Sequence, residues 1–210
     1  MAGTVTALEF QKGNKERVNV YLDGTFAFGL PATIAATHLR RGQMLSDAEI
    51  AALRALDEQE RAYEQAVRFL RYRPRSRTEV ERYLRRKRFA EETITRVMTR
   101  LQDAGYLDDE AFARFWVENR QHFRPRSRRA LGIELRQKGV EQDIVQEVVD
   151  EQDDEEAAWQ AVEAQLSRWG SLSREQLQRR LGDFLARRGF DYATIRAVYR
   201  RACQVLCTKE

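Results

Sequence analysis

The sequence predicts a mainly α-helical protein made of three tandem three-helix repeats, preceded by a small N-terminal antiparallel β-meander with a short helix. Three observations carry that prediction. First, five apolar positions recur at spacings of 4, 5, 5 and 3: Val80, Leu84, Phe89, Ile94 and Val97; then Leu131, Leu135, Val140, Val145 and Val148; then Leu181, Leu185, Phe190, Ile195 and Val198. The sets lie 51 and 50 residues apart without a register error, which marks an internal repeat. Second, only three prolines occur in 210 residues otherwise rich in helix formers. Third, apolar and polar residues alternate with period two before residue 31, around an Asp23-Gly24 turn.

In chain order, Val5 to Phe10 reads as a first strand and Gln11 to Lys15 as a polar turn. Val18, Val20 and Leu22 alternate along a second strand, and Phe26, Phe28 and Leu30 along a third. Asp23-Gly24 suits a two-residue hairpin turn because both positions tolerate positive φ. Three strands cannot bury their apolar face alone, so helix should cover it. Residues 31–39 are the expected cover, ended by Gly42. Ser46-Asp47-Ala48-Glu49 is a capping box that starts a further helix with Ile50, Leu53 and Leu56 on its buried stripe. The expected organisation is a β-rich module over 1–45, a connecting helix over 46–57, and repeats over 58–107, 108–152 and 153–206.

Each repeat decodes in the same way. A first helix is expected over residues 59–72, 109–122 and 155–169. The first two apolar positions of the recurring set share one face of a middle helix. Lys138-Gly139 and Arg188-Gly189 then break the chain, glycine supplying the left-handed residue that ends helices. Arg88 stands at that place in the first repeat, at about 1 kcal/mol of backbone strain. The last apolar pair starts the third helix. Ser76-Arg77-Thr78-Glu79 and Ser173-Arg174-Glu175-Gln176 are capping boxes at middle-helix starts, and Ser127 is a cap without an acidic partner. Gly105-Tyr106-Leu107-Asp108-Asp109 closes one helix and caps the next. Phe112, Phe115, Trp116, Trp159, Leu166 and Trp169 are the expected core or inter-repeat residues.

Catalytic chemistry has no foothold in this pattern. His38 and His122 lack cysteines or carboxylates at metal-ligand spacing, and no phosphate-binding glycine loop or nucleophile elbow occurs. Cys203 and Cys207 are read as structural or incidental. No cofactor is expected. With no bilayer-length apolar run and no signal pattern, the expected compartment is the cytoplasm.

Charge is segregated instead. The net charge is +4, yet residues 68–100 hold twelve Lys/Arg against four Asp/Glu, and residues 120–138 hold seven against one. Residues 141–156 hold nine acidic residues and no basic one. Any one such run is ordinarily a solvated helix face. The basic runs recur, however, in the same part of successive repeats: the lead-in Arg73-Pro74-Arg75-Ser76, its copy Arg124-Pro125-Arg126-Ser127, and the middle helices that follow. Arginine dominates, and its planar fork grips phosphate or carboxylate bidentately. The candidate docking residues are Arg73, Arg75, Arg77, Arg82, Arg85, Arg86 and Lys87 in the first repeat, and Arg124, Arg126, Arg128, Arg129 and Arg136 in the second.

Several stretches resemble the RecX regulatory family. They are Phe69-Leu70-Arg71-Tyr72-Arg73-Pro74-Arg75-Ser76 followed by Glu79; Gly105-Tyr106-Leu107-Asp108-Asp109 followed by Phe112-Ala113, Trp116-Val117 and Arg120; and Glu134-Leu135-Arg136-Gln137-Lys138-Gly139-Val140. Val80 and Arg88 depart from the family's usual Leu and Gly. The resemblance implies an elongated, curved array that docks along the RecA recombinase filament on DNA; the chain is expected to be a monomer. It implies inhibition of recombination, ATPase and coprotease activities, with no cofactor. The competing expectation is a direct DNA-binding protein, because three-helix units with basic middle helices resemble helix-turn-helix readers.

Overall fold

The computed structural model describes residues 2–207 and divides the chain into two compact units. Of the described residues, the first holds 2–73 and 80–106, and the second holds 74–79 and 107–207.

The first unit opens with β1 (Gly3–Gln11), β2 (Asn14–Leu22) and β3 (Thr25–Pro31), an antiparallel meander. The Asp23-Gly24 hairpin forms as its residues demand, with φ of 48° and 82°. Helix α1 (Ala32–His38) follows, then β4 (Met44–Leu45). The sheet therefore has four strands in the order β3-β2-β1-β4, one more than the alternation predicts. A two-residue strand has no periodicity to read, and β4 exists only because β1 offers it an edge. Val5, Val20, Leu30 and Leu45 are buried against Ala35, Leu39, Ile50 and Leu53, so helices cover the sheet as expected.

Helix α2 (Asp47–Leu70) starts at the Ser46–Glu49 capping box. It runs 24 residues without interruption, where the sequence predicts a connecting helix and then a separate repeat helix. The reason is local. Residues 56–61 contain no glycine or proline, and Asp57, the one residue there of a capping type, pairs with Arg17 at 2.7 Å instead, so nothing stops the helix. Helices α3 (Arg77–Arg86) and α4 (Glu91–Asp103) complete the first three-helix set. Val80, Leu84, Ile94 and Val97 are buried, and Phe69 stacks on Tyr83 at 4.1 Å between ring centroids.

In the second unit, α5 (Asp109–Phe123), α6 (Arg128–Gln137) and α7 (Gln142–Asp150) form one three-helix set. Helices α8 (Asp154–Trp169), α9 (Arg174–Ala186) and α10 (Tyr192–Cys207) form the next. Leu131, Leu135, Val140, Val145 and Val148 are buried in the first of these cores. Leu181, Leu185, Phe190 and Val198 are buried in the second, with Ile195 half-buried against it. Phe112, Trp159, Leu166 and Trp169 are core residues, and Trp116 is half-buried. Phe115 is not a core residue: it is 37% exposed, because the buried stripe of α5 runs through Phe112, Ala113 and Val117 and Phe115 lies on the other flank of Phe112. Cys203 and Cys207 are free thiols. No described helix is long and apolar enough to cross a membrane, and no described His, Cys, Asp or Glu cluster suits a metal ion.

Candidate functional site

The basic lead-ins are built around a buried serine. Ser76 is fully buried and Ser127 is 1% exposed, which is unusual for a helix-capping hydroxyl. Each hydroxyl caps its own helix: Ser76 Oγ accepts from Glu79 N–H and Ser127 Oγ from Ala130 N–H, both at 3.2 Å. Each serine is also docked on the glycine turn of the domain that follows. Ser76 Oγ donates to the Lys138 carbonyl at 2.6 Å, and Ser127 N–H donates to the Arg188 carbonyl at 3.2 Å.

The glycines at these turns have two reasons to be glycine. Gly139 and Gly189 have φ of 80° and 90°. A Cβ on Gly139 would lie 2.2 Å from Thr78 Oγ1, and one on Gly189 would lie 2.7 Å from Ser127 Oγ and 2.8 Å from Ala130 Cβ. The preceding domain's helix start occupies the space a side chain needs. Arg88, at the same place in the first domain, has φ of 64° and lines an open cleft with Glu58 and Phe28. There the conformational strain remains but the steric bar is gone, so a side chain is tolerated.

A carboxylate completes each joint. Asp109 Oδ1 accepts from Arg77 N–H at 2.8 Å, and Asp154 Oδ1 accepts from Arg128 N–H at 2.7 Å. These are the first amides of α3 and α6, which have no intrahelical partner. Asp108 and Asp153 meanwhile cap α5 and α8. In each Asp-Asp pair, the first residue caps its own helix and the second caps the middle helix of the domain before. Sequence reasoning missed this second role, although the pair recurs at 108–109 and 153–154. Helix α9, with no described domain after it, relies on a reciprocal Ser173–Gln176 box at an exposed serine.

Burial at these joints pushes both the Asp109 and Asp154 carboxyls above the ordinary range, against the lowering effect of the Arg77 and Arg128 amides. A folded carboxyl pKa above its unfolded value contributes stability that is complete below the unfolded pKa and lost as pH rises through the folded one. Asparagine keeps the acceptor and carries no charge to desolvate. The Asp109→Asn, Asp154→Asn double variant should therefore gain on the wild type at neutral pH. That gain should vanish as pH falls below the unfolded carboxylate pKa. Urea midpoints measured across that range check it; a gap that widens on acidification would contradict it.

The twelve candidate arginine and lysine positions divide by what they touch. Arg85 is exposed and bound to Glu91 at 2.9 Å, and Arg128 faces Asp154 at 4.0 Å. Arg126 is half-buried and pairs with Glu134 at 2.9 Å. Lys87 lies 5.6 Å over the Tyr83 ring. Arg73 and Arg75 are half-buried, Arg77 and Arg82 are exposed, and all four have interaction partners. Arg86, Arg124, Arg129 and Arg136 are exposed and form no ion pair among the described residues.

Two cations outside that set belong beside it. Arg120 donates to Glu134 at 2.7 Å and lies 4.6 Å over Trp116. Lys138 pairs with Glu79 at 2.7 Å and lies 4.7 Å over the same ring. Trp116 Nε1 donates to Glu134 at 2.8 Å. What the joints offer chemically is a set of recurrent cationic helix starts held by the neighbouring domains.

Comparison with known proteins matches this domain series. Four family models match in order: the regulatory protein RecX N-terminal domain over residues 3–46, and the RecX first, second and third three-helix domains over residues 62–101, 108–149 and 152–199. The regulatory protein RecX of Bacillus subtilis is 33% identical over 197 residues, covering 92% of this chain and 75% of that protein. The chain belongs to the RecX family. The RecX of Streptomyces coelicolor is 36% identical over 151 residues, covering 70% of this chain and 80% of its own length. A crystal structure of regulatory protein RecX superposes with a TM-score of 0.73 at 23% identity, over 93% of this chain and 98% of that one. The crystal structure of RecX from Lactobacillus salivarius gives a TM-score of 0.61 at 22% identity, over 70% and 98% respectively. At those identities the superpositions establish the RecX fold. The buried serines, the glycine turns and the paired aspartates all fall in the second unit, at the two joints that connect the RecX three-helix domains.

Proposed function

We propose that this RecX-family chain is a non-enzymatic regulator that binds the RecA recombinase filament on DNA and inhibits its recombination, ATPase and coprotease activities. The observation that carries the reading is the arginine lead-in, repeated at the same position of two successive domains and held by a buried serine in each. Evenly repeated cationic sites suit a partner that is itself periodic and anionic, as a nucleoprotein filament is. The name regulatory protein RecX, borne by the relatives, supports the same reading. Direct attachment to DNA phosphates is the second reading, and it is favoured by Arg86, Arg124, Arg129 and Arg136, which meet no carboxylate among the described residues.

The test adds the protein to ATP-bound recombinase filaments and follows ATPase rate and filament length. Inhibition is expected from the wild type. Reversing Arg86, Arg129 and Arg136 to Glu should weaken filament binding about tenfold or more while helicity is kept, since each side chain is exposed. An unchanged ATPase rate at several-fold excess of wild type would remove the reading. Unchanged binding by the triple variant would remove these residues as its docking surface.

A further inference from the structure

The two joints of the second unit share a backbone plan but differ in charge. In the first, Lys138 is neutralised by Glu79 at 2.7 Å. At the equivalent places of the second joint, Arg188 stands for Lys138 and Ala130 for Glu79, and Phe184 stands for Glu134. Arg188 therefore lacks the carboxylate its counterpart uses. Its guanidinium lies 3.6 Å over the Phe184 ring, and Nη1 donates to the Phe184 carbonyl at 3.2 Å. The Nε atoms of Arg188 and Arg126 are both buried without a hydrogen-bond partner among the described residues.

The Ser127–Arg188 backbone hydrogen bond brings the Arg124-Pro125-Arg126 lead-in against Arg187-Arg188. Among the described residues, the one carboxylate that meets these arginines is Glu134, which is already divided between Arg120 and Arg126. Arg124 and Arg187 meet none among the described residues. Burial first, and then the charges of Arg124, Arg126 and Arg187, press the Arg188 guanidinium below its ordinary range. Arginine does not give up its proton near neutrality, so an anion is what relieves the repulsion.

A second feature adjoins the cluster. Phe123, immediately before Arg124, is 74% exposed, with the His122 ring edge-on at 4.5 Å. A large apolar ring held in solvent beside crowded guanidinium groups matches one ligand chemistry: an anionic backbone carrying flat, stackable rings. Duplex bases are already stacked on one another and offer no face to Phe123. A single strand does.

We propose that the joint between the second and third three-helix domains binds single-stranded nucleic acid, with phosphates on Arg124 and Arg188 and a base stacked on Phe123. Arg126 and Arg187 add to the attracting field. The proposal deepens the filament reading, on which it rests for its biological setting, by naming what one of the cationic sites holds.

The experiment titrates the full chain against a fluorescein-labelled twenty-residue oligo-dT at about 50 mM salt, read by anisotropy, with a duplex of equal length alongside. Wild type is expected to bind the single strand more tightly than the duplex. Arg124→Gln and Arg188→Gln should each weaken binding several-fold and lower the log–log salt slope by about 0.7 for each phosphate that is no longer held. Phe123→Ala should weaken binding roughly tenfold with the salt slope unchanged, because stacking releases no counterions. Arg200→Gln, an exposed α10 arginine, serves as the control for bulk charge and should bind as wild type does. Phe123 and Arg124 are both exposed, so their variants test the site even where Arg188→Gln perturbs folding; circular dichroism checks each one.

Absence of wild-type binding overturns the proposal. So does a Phe123→Ala variant that binds the single strand as wild type does, or an Arg200→Gln loss equal to that of Arg188→Gln. If wild type ignores the oligonucleotide yet still slows filament ATPase, this inference falls and the filament reading stands. Oligonucleotide binding without any effect on filaments separates them the other way.

Discussion

Replacing Gly139 with alanine should destabilise the second unit by about 2–4 kcal/mol. Part of this is the left-handed backbone, φ of 80°, which costs a side-chain-bearing residue about 1 kcal/mol. The larger part is overpacking. The new Cβ would meet Thr78 Oγ1 at 2.2 Å and Thr78 Cβ at 2.5 Å, and easing such a clash costs about 1–3 kcal/mol. All three tryptophans, Trp116, Trp159 and Trp169, lie in the second unit, so intrinsic fluorescence in urea reads this unit directly. The matched comparison is Gly105→Ala in the first unit. Gly105 has φ of 72° and open space around its missing Cβ, so only the backbone part, about 1 kcal/mol, should appear in circular dichroism. A Thr78→Gly background should recover the clash part and leave the backbone part. A Gly139→Ala loss no larger than that of Gly105→Ala would mean that the helix start yields freely and the joint is loose.

Glu134→Ala should cost about 2–3 kcal/mol, by a different mechanism. The Glu134 side chain is 14% exposed and holds three donors: Trp116 Nε1, Arg120 Nε and Arg126 Nη1, at 2.7–2.9 Å. Breaking a fully buried ion pair from one side costs about 3–5 kcal/mol. Here Arg120 and Arg126 keep 29% and 26% of their side chains exposed, and water takes up part of the loss. Glu134→Gln keeps an acceptor for Trp116 and should lose about half as much. Added salt should restore stability to the alanine variant more than to wild type, because screening relieves the unpaired cations. Urea midpoints at low and high salt, again by tryptophan fluorescence, measure this. A loss below about 1 kcal/mol that is indifferent to salt would reduce Glu134 to a surface charge.

Both predictions concern residues that the sequence brings to notice for other reasons. Gly139 reads as a helix terminator, which it is. Its second constraint, the approach of Thr78, lies 61 residues away and leaves no local trace. Only the contrast with Arg88 betrays it: the same turn accepts an arginine where no helix start presses on it. Glu134 stands out in the sequence only as the start of the Glu134–Val140 stretch, and tertiary packing makes it the hub of a tryptophan and two arginines. The basic lead-ins were legible because arginine and proline recur 51 residues apart. Which arginines remain without a carboxylate was not legible, since that depends on what folding carries beside each. Arg126 and Arg124 are two residues apart, yet Glu134 binds the first and no described carboxylate binds the second.

The sequence by itself determined the repeat, its apolar register, the hairpin turn, the helix caps and the family. All of these rest on spacings shorter than a few turns of helix or on a pattern repeated often enough to be counted. Tertiary structure alone decided two other things: a fourth strand too short to have a period, and the joints at which Asp109 and Asp154 cap the helices of the domain before. The physical reason is common to them. Hydrogen-bonding groups left open at a strand edge or a helix start are satisfied by whatever chain the fold brings near, and that neighbour is chosen by packing over tens of residues rather than by the residues alongside.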